Sequence, residues 1–530
     1  MAHNNVYKPN DWAGKLAKGF LRNPLTVVLG IFLLAIGYLS LEIMPREENP
    51  QMVVSGSTVI VALPGASAAE VEQVIVKPLE RKLKEVKGVE HITGMSMDNV
   101  GIVNVAFFIG ENKEDSNLKV YDKIMQNSDI FPHGAMNPII KPLDIDVDIP
   151  IVSIAFYSHT KQLSKTELYN RVKKIQHRIN GLENVAVTEL KGGNKTQFNI
   201  EVDLHKLSGY NLSMGQILQA VQSLAVSVPA VKNRTHSNDI VMVGVKNAIE
   251  SEKDIANIIV ANYMGSPIYL EQVARVTKSY DIQNFQSASI SVKGEDNTFS
   301  SLQDQVTLTV SKLQGTNAVV IANAVKKELE NYKECLATKG ISYVITRNDG
   351  ERANEAVNEL VFHLVLSIVI IAVLLIFVLG WRESLIVTFT VPAILAITLF
   401  IAYLTGQTIN RITLFAFLLS LGLLVDAAII VIENIHRHYH SIESDDENID
   451  DLMIKATDEI GPPTNIATLA IILTMIPMAF VGQMMGQFMK PIPANVPIAL
   501  IASLFVAYIF TPYLALRMLK KPDHHSKEEH

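Results

Sequence analysis

One carboxylate stands out in this sequence because of its surroundings. Asp426 lies between Val425 and Ala427 in residues 412–432, a stretch that is otherwise free of charge. A carboxylate in the middle of a membrane helix costs about 2.5–3.5 kcal/mol on insertion scales, so it must face a bundle interior or a water path. Removal from water disfavours the charged form and raises the pKa, which suits an acid that takes up and releases a proton near neutral pH. The structural alternative is a packing acid hydrogen-bonded to a neighbouring helix. Glu433, seven residues on, falls on the same helical face nearer the helix end, where it caps the membrane border. His363, near the outer end of another apolar stretch, reads as an interfacial histidine or a second proton relay. Asp426 is therefore the proton-coupling candidate, with Glu433 and His363 behind it.

Other chemistries find little support in the residues. Met475, Met478, Met484, Met485 and Met489 cluster, and thioethers can carry Cu(I). No second Met row faces them from residues 412–432, so they read as a flexible packing surface and no metal site is expected. The single Cys335 offers neither a disulfide nor a CxxC site. No enzyme motif appears, and without a Walker loop ATP is not the energy source. The expectation is a non-enzyme with no cofactor, driven by a proton gradient.

The elements that hold these residues are apolar. Only 19% of the 530 residues are charged and 48% are hydrophobic, with a net charge of −7. That charge share is below the roughly 25% of soluble domains, so lipid is the first solvent to consider. No basic tract suits a nucleic-acid partner. Apolar runs long enough to cross a bilayer occur at residues 24–44, 360–380, 385–404, 412–432, 466–485 and 496–516, with Glu42 at the end of the first and Asp426 within the fourth as their only Asp, Glu, Lys or Arg. Lys8, Lys15, Lys18, Arg22, Arg382, Arg517, Lys520 and Lys521 all fall on one side of such a six-span path, against Arg411 and Lys490 on the other. The first side is therefore cytoplasmic. Residues 1–23 become a cytoplasmic leader, 433–463 a cytoplasmic loop and 517–530 a cytoplasmic tail. The first span is retained rather than cleaved, because it ends in Glu42-Ile-Met-Pro45-Arg46 with no small-residue cleavage site.

Between the first two spans lies a large external segment with a repeated grammar. A strand ending at Leu63 is followed by a Pro64-Gly65 turn, a capping box at Ser67–Glu70, and a helix burying Val71, Val74, Ile75, Leu79 and Leu83. A strand over residues 151–157 is followed by a second box at Ser164–Glu167 and a helix with Leu168, Val172 and Ile175. Gly88-Val-Glu-His-Ile92 and Gly181-Leu-Glu-Asn-Val185 leave the two helices in the same way. Two βαβ-type units of an α+β sandwich are expected, with a third box at Ser213–Gln216 and a polar loop over residues 223–239 between their parts. Residues 280–347 supply a further strand and helix set.

Together these features resemble the N-terminal half of a resistance, nodulation and cell division (RND) family exporter, over nearly the whole chain. The resemblance is carried by Arg22-Asn-Pro24, Met44-Pro-Arg-Glu-Glu-Asn-Pro-Gln51, Pro64-Gly-Ala-Ser67, and Gly422-Leu-Leu-Val-Asp426 followed by Glu433-Asn434. It implies a trimeric bacterial inner-membrane pump that exports small molecules by proton antiport. The fold it implies is a six-span helical membrane domain plus a periplasmic α+β domain of ferredoxin-like porter subdomains and a docking subdomain. By this resemblance residues 45–135 form porter subdomain 1, residues 136–185 and 280–355 porter subdomain 2, and residues 186–279 the docking subdomain, whose loop 223–239 would reach a neighbouring protomer. Asp426 matches the family's first span-four aspartate. Position 427 is Ala where drug exporters carry a second aspartate, which resembles the metal exporters instead, although the Met residues those exporters place along their spans are lacking in span four. Members normally carry twelve spans, so a second six-span half or further copies would complete this unit, with a membrane-fusion adaptor and an outer-membrane channel as further partners. A non-transporting assembly subunit, a SecD-like factor and a lipid carrier share the topology and are the alternatives.

Overall fold

The computed structural model describes residues 7–158, 163–223, 231–234, 240–243, 249, 251–263, 265–281, 286–294, 296–440 and 448–519. Most of the loop 223–239, the acidic loop around residue 445, and the tail beyond residue 519 with Lys520 and Lys521 lie outside the described residues.

Among the described residues six helices are long and apolar enough to cross a membrane. They are span one (Leu25–Ile43), span two (Asp349–Val378), span three (Trp381–Leu404), span four (Arg411–His440), span five (Ile449–Ala479) and span six (Pro491–Met518). Spans three, four and six form the centre of their common core, and Tyr508 on span six is among its largest fully buried side chains. Small residues let the backbones approach: a Cβ at Gly37 on span one would lie 2.3 Å from the Ala396 Cβ on span three. The short connection between spans two and three needs Gly380, whose φ of +115° disfavours any side chain.

Several sequence boundaries move. Span two is one continuous helix from Asp349, because Asn348 caps a polar first turn that feeds directly into the apolar run. The expected cytoplasmic loop 433–463 is mostly helix, since span four runs on to His440 and span five starts at Ile449. Span five ends at Ala479, short of residue 485, and a separate short helix covers Gln483–Met489. The leader contains a helix, Trp12–Phe20. Asp458 of span five anchors it, accepting from Tyr7 Oη at 2.7 Å and from the Asn10 and Asp11 N–H groups. Burial and the neighbouring Asp458 push the Tyr7 hydroxyl up to about 12.

Among the described residues two larger sheets of the external segment share one topology, and three two-stranded sheets lie between their parts. In the first, strands Gly56–Ala62, Val89–Met97, Val100–Phe107 and Ile139–Pro142 alternate with helices in a β-α-β-β-α-β order. Their spatial order is second, third, first, fourth, with antiparallel pairing. Strands Val152–Ser158, Val185–Lys191, Gln303–Lys312 and Ile341–Asn348 repeat that arrangement, the third strand pairing with both the first and the second. This is the split βαβ, ferredoxin-like sheet. Two boundaries shift as a result: residues 139–142 belong to the first sheet, not to residues 136–185, and residues 185–191 belong to the second sheet, not to residues 186–279. The intervening segment, with its own small core around Leu207, Ile217 and Leu270, is an insertion between the second and third strands of the second unit. Ser67, Ser164 and Ser213 accept from the N–H groups of Glu70, Glu167 and Gln216, so the serine half of each expected capping box forms, while the return bond is made only at the third, where Gln216 accepts from the Ser213 N–H. Val231–Arg234, inside residues 223–239, pairs antiparallel with Ile240–Val243 just beyond them.

One joint ties the sheets to the membrane helices. Just past span one, Arg46 bridges Ile409 in the connector between spans three and four, with Glu47 N–H donating to the Ile409 carbonyl at 3.0 Å. Glu47 is 4% exposed and pairs with Lys312, 6% exposed, at 2.9 Å at the end of the second sheet's third strand. Gln51 and Thr408 also donate to its carboxylate. Glu48 beside it lies between Arg352 at the start of span two and Arg411 at the start of span four. Removing one member of such a buried pair strands the other charge, which costs about 3–5 kcal/mol. Glu47→Gln should therefore lower the melting temperature in detergent markedly, while the double change Glu47→Gln with Lys312→Met should recover much of the loss. An unchanged melting temperature for Glu47→Gln alone would contradict the joint.

Candidate functional site

Span four carries the candidate acid, and its two faces differ sharply. Leu414, Phe417, Leu421, Leu424, Val425, Ala428, Val431, Ile432 and Ile435 are buried against the other spans. Arg411, Phe415, Leu419, Gly422, Asp426, Glu433, Arg437 and His440 are exposed. Their spacing of three, four and seven residues makes one continuous stripe along the helix. Asp426 therefore faces outward from the six-helix core. No described donor lies within hydrogen-bond distance of its carboxylate. The stripe around it is open and apolar: Phe415 and Leu419 are nearly half exposed, and a Cβ at Gly422 would meet nothing within 4 Å.

Glu433 shares the stripe, about 10 Å further along the axis at 1.5 Å per residue. It is exposed, one turn before Arg437. The helix end around it is held by other residues. Asn434 donates to the Ala456 carbonyl at 2.7 Å, His436 Nδ1 lies 3.0 Å from Glu383, and His438 Nε2 lies 2.8 Å from Glu459. These contacts lock span four to spans three and five, and the basic last turn suits the negative end of the helix dipole. His363 is not brought to this stripe. It lies on span two, exposed, with Nε2 3.7 Å from Glu359 one turn before it.

The structure adds residues that the sequence reading missed. Glu47, Lys312 and Thr408 meet across 265 and 361 positions of sequence, and Asp458 holds the leader from more than 440 positions away. Glu47 lies in one of the motifs that carry the family resemblance, but its partners carry no local signal. Of the Met cluster, Met484 and Met485 are exposed while Met478 and Met489 pack against the membrane core. Among the described residues no group of three or more His, Cys, Asp or Glu side chains could hold a metal ion.

The amino-acid sequence that builds this site has relatives among known proteins. The chain is 27% identical over 532 aligned positions to the toluene efflux pump membrane transporter TtgE of Pseudomonas putida, covering 97% of this chain and 49% of that protein. It is 26% identical over 531 positions to the swarming motility protein SwrC of Bacillus subtilis, covering 94% of this chain and 49% of that protein. The chain thus spans about half the length of the curated relatives it matches. The model of the AcrB/AcrD/AcrF family matches residues 16–530, and the chain belongs to that family of RND transporters, which are not enzymes.

Proposed function

We propose that this chain is the six-span unit of a proton-driven exporter of small molecules, with Asp426 as the proton carrier. The observation that carries the reading is the outward stripe of span four, which sets one carboxylate in an open apolar face with no partner from its own six helices. A second six-span unit, on the same polypeptide or another, covers that stripe and supplies the cation that Asp426 faces when it is charged. The basic side of the spans lies in the cytoplasm and the α/β segment in the periplasm of a bacterial inner-membrane protein. The two sheets act as porter subdomains and the inserted segment as the docking subdomain of a trimer, whose loop 223–239 reaches toward a neighbouring protomer. A membrane-fusion adaptor and an outer-membrane channel complete the export path. Protonation of Asp426 removes the cost of leaving a charge in low dielectric, so each proton bound and released biases span four between two packings. Span four then pulls on the connector at Ile409, and through Glu47 and Lys312 on the second sheet.

Two changes on the stripe separate its roles. Gly422→Leu adds bulk only on the open face and favours the helix. It should leave the six-span fold intact while displacing the covering unit, so size-exclusion chromatography in mild detergent should show a smaller assembly; an unchanged assembly would place lipid rather than protein on this face. Asp426→Asn keeps the side-chain volume and fixes a neutral form. Assembly should persist while export against an imposed pH gradient in vesicles falls at least about tenfold, a loss of about 1.4 kcal/mol of coupling. Near wild-type export by Asp426→Asn would make it a packing acid and the chain a structural subunit.

A further inference from the structure

Away from the span-four stripe, a cavity of about 450 Å³ opens where spans three, four and six end, beside the chain leaving span one. Its size falls in the range of small-molecule sites, roughly 300–1,000 Å³. Its lining joins two kinds of surface. Gln51, Gln407, Thr408 and Gln487 bring neutral hydrogen-bonding groups, and Lys490 is the one ionisable side chain. No carboxylate lines the cavity, and among the described residues none lies within 4 Å of the Lys490 ammonium. Behind the wall, the fully buried Asn495 donates to Gln407 Oε1 at 2.7 Å and to the Pro491 carbonyl, which fixes two lining residues. Its own Oδ1 accepts from no protein donor.

The other side of the cavity is apolar and continues out of it. Pro491, Ala494 and Ile498 line it from one face of span six, and that face runs on along the helix through Ile501 and Phe505, which are 47% and 44% exposed. A single cation among neutral amides, at the level where the helices end, therefore sits at the head of an apolar track that descends into the membrane. The chemistry that fits both parts is an amphiphile with one negative charge, polar hydrogen-bonding groups near that charge, and an alkyl chain.

We propose that this cavity binds the headgroup of an anionic diacyl phospholipid, with Lys490 on the phosphate, Gln407 and Gln487 on the glycerol oxygens, and an acyl chain along Ile498, Ile501 and Phe505. The site needs only that the helices span a bilayer, and it stands whether or not Asp426 carries protons. Gln51 and Thr408 line the cavity and also hold Glu47, so the lipid sits against the joint that links the sheets to the spans.

The test uses the full chain reconstituted in nanodiscs of phosphatidylcholine mixed with phosphatidylglycerol, followed by native mass spectrometry of the lipid it retains. Wild type should retain phosphatidylglycerol in preference to phosphatidylcholine. A lysine near a membrane surface contributes about 1 kcal/mol toward an anionic lipid, so Lys490→Gln should cut that preference about fivefold, and Lys490→Arg should keep it. Ile498→Trp should lower retention of phosphatidylglycerol with Lys490 untouched, because it fills the start of the track. Thermal melts of each variant in phosphatidylcholine alone should match wild type, which separates loss of the site from loss of the fold. Equal retention of the two lipids by wild type, or an unchanged preference in Lys490→Gln, would overturn the proposal. So would displacement of the lipid by millimolar inorganic phosphate, since that would mark a site for a free anion without an acyl chain.

Discussion

The structure depends on one constraint: a charge on a membrane helix must be met by something other than hydrocarbon. Span four satisfies this at its ends from within the chain. Arg411 meets Glu48 at one end, and His436 and His438 meet Glu383 and Glu459 at the other. Midway between them, Asp426 meets nothing in the described chain. The described fold thus leaves its costliest side chain facing outward with no internal partner, which is the setting the proposed proton carrier would use. A carboxylate with a strong, permanent internal partner would stay charged, whereas one whose surroundings change with packing can alternate between forms.

A second constraint decides where motion in the spans can go. The joint at Glu47 gathers the end of span one, the connector of spans three and four, and the third strand of the second sheet into one buried group of polar contacts. A buried ion pair is a poor source of net stability, because desolvation offsets most of its attraction. It does fix geometry, since any sliding of the connector against the sheet exposes one charge to the other's absence. Span two adds a rigid rod beside it, one helix running without a break from the second sheet's last strand to Val378. The first sheet has no such rod and is joined to span one by the non-helical chain between Ile43 and Gly56, so the two sheets, alike in topology, are connected to the spans differently.

Much of this was legible in the residues, and the failures share a physical pattern. Apolar runs locate the six described helices that are long and apolar enough to cross a membrane because hydropathy is a local property, and the serine caps mark three external helices because their hydrogen bonds close within one turn. Helix ends were misjudged where a helix is only partly in lipid: the polar turns before residue 360 and after residue 432 have helical spacing but not membrane composition. Strands 139–142 and 185–191 were assigned to the wrong neighbours because sheet membership is set by pairing, which strand sequence does not encode. The outward direction of Asp426 followed from the same limit. The residues around Asp426 point only to a bundle interior or a water path, and which side of span four the other five helices choose is not written in its own sequence.

The account stands on what covers that stripe in the membrane, and this can be measured at one position. In the intact transporter, with Cys335 replaced by serine, a nitroxide label at Gly422→Cys reports its surroundings by collision with dissolved oxygen and with a water-soluble nickel chelate. A partner helix over the stripe predicts low accessibility to both reagents at position 422, alongside high oxygen accessibility at an exposed span-two position such as Phe377. Oxygen accessibility at position 422 as high as at position 377 would put lipid against Asp426 and contradict the account.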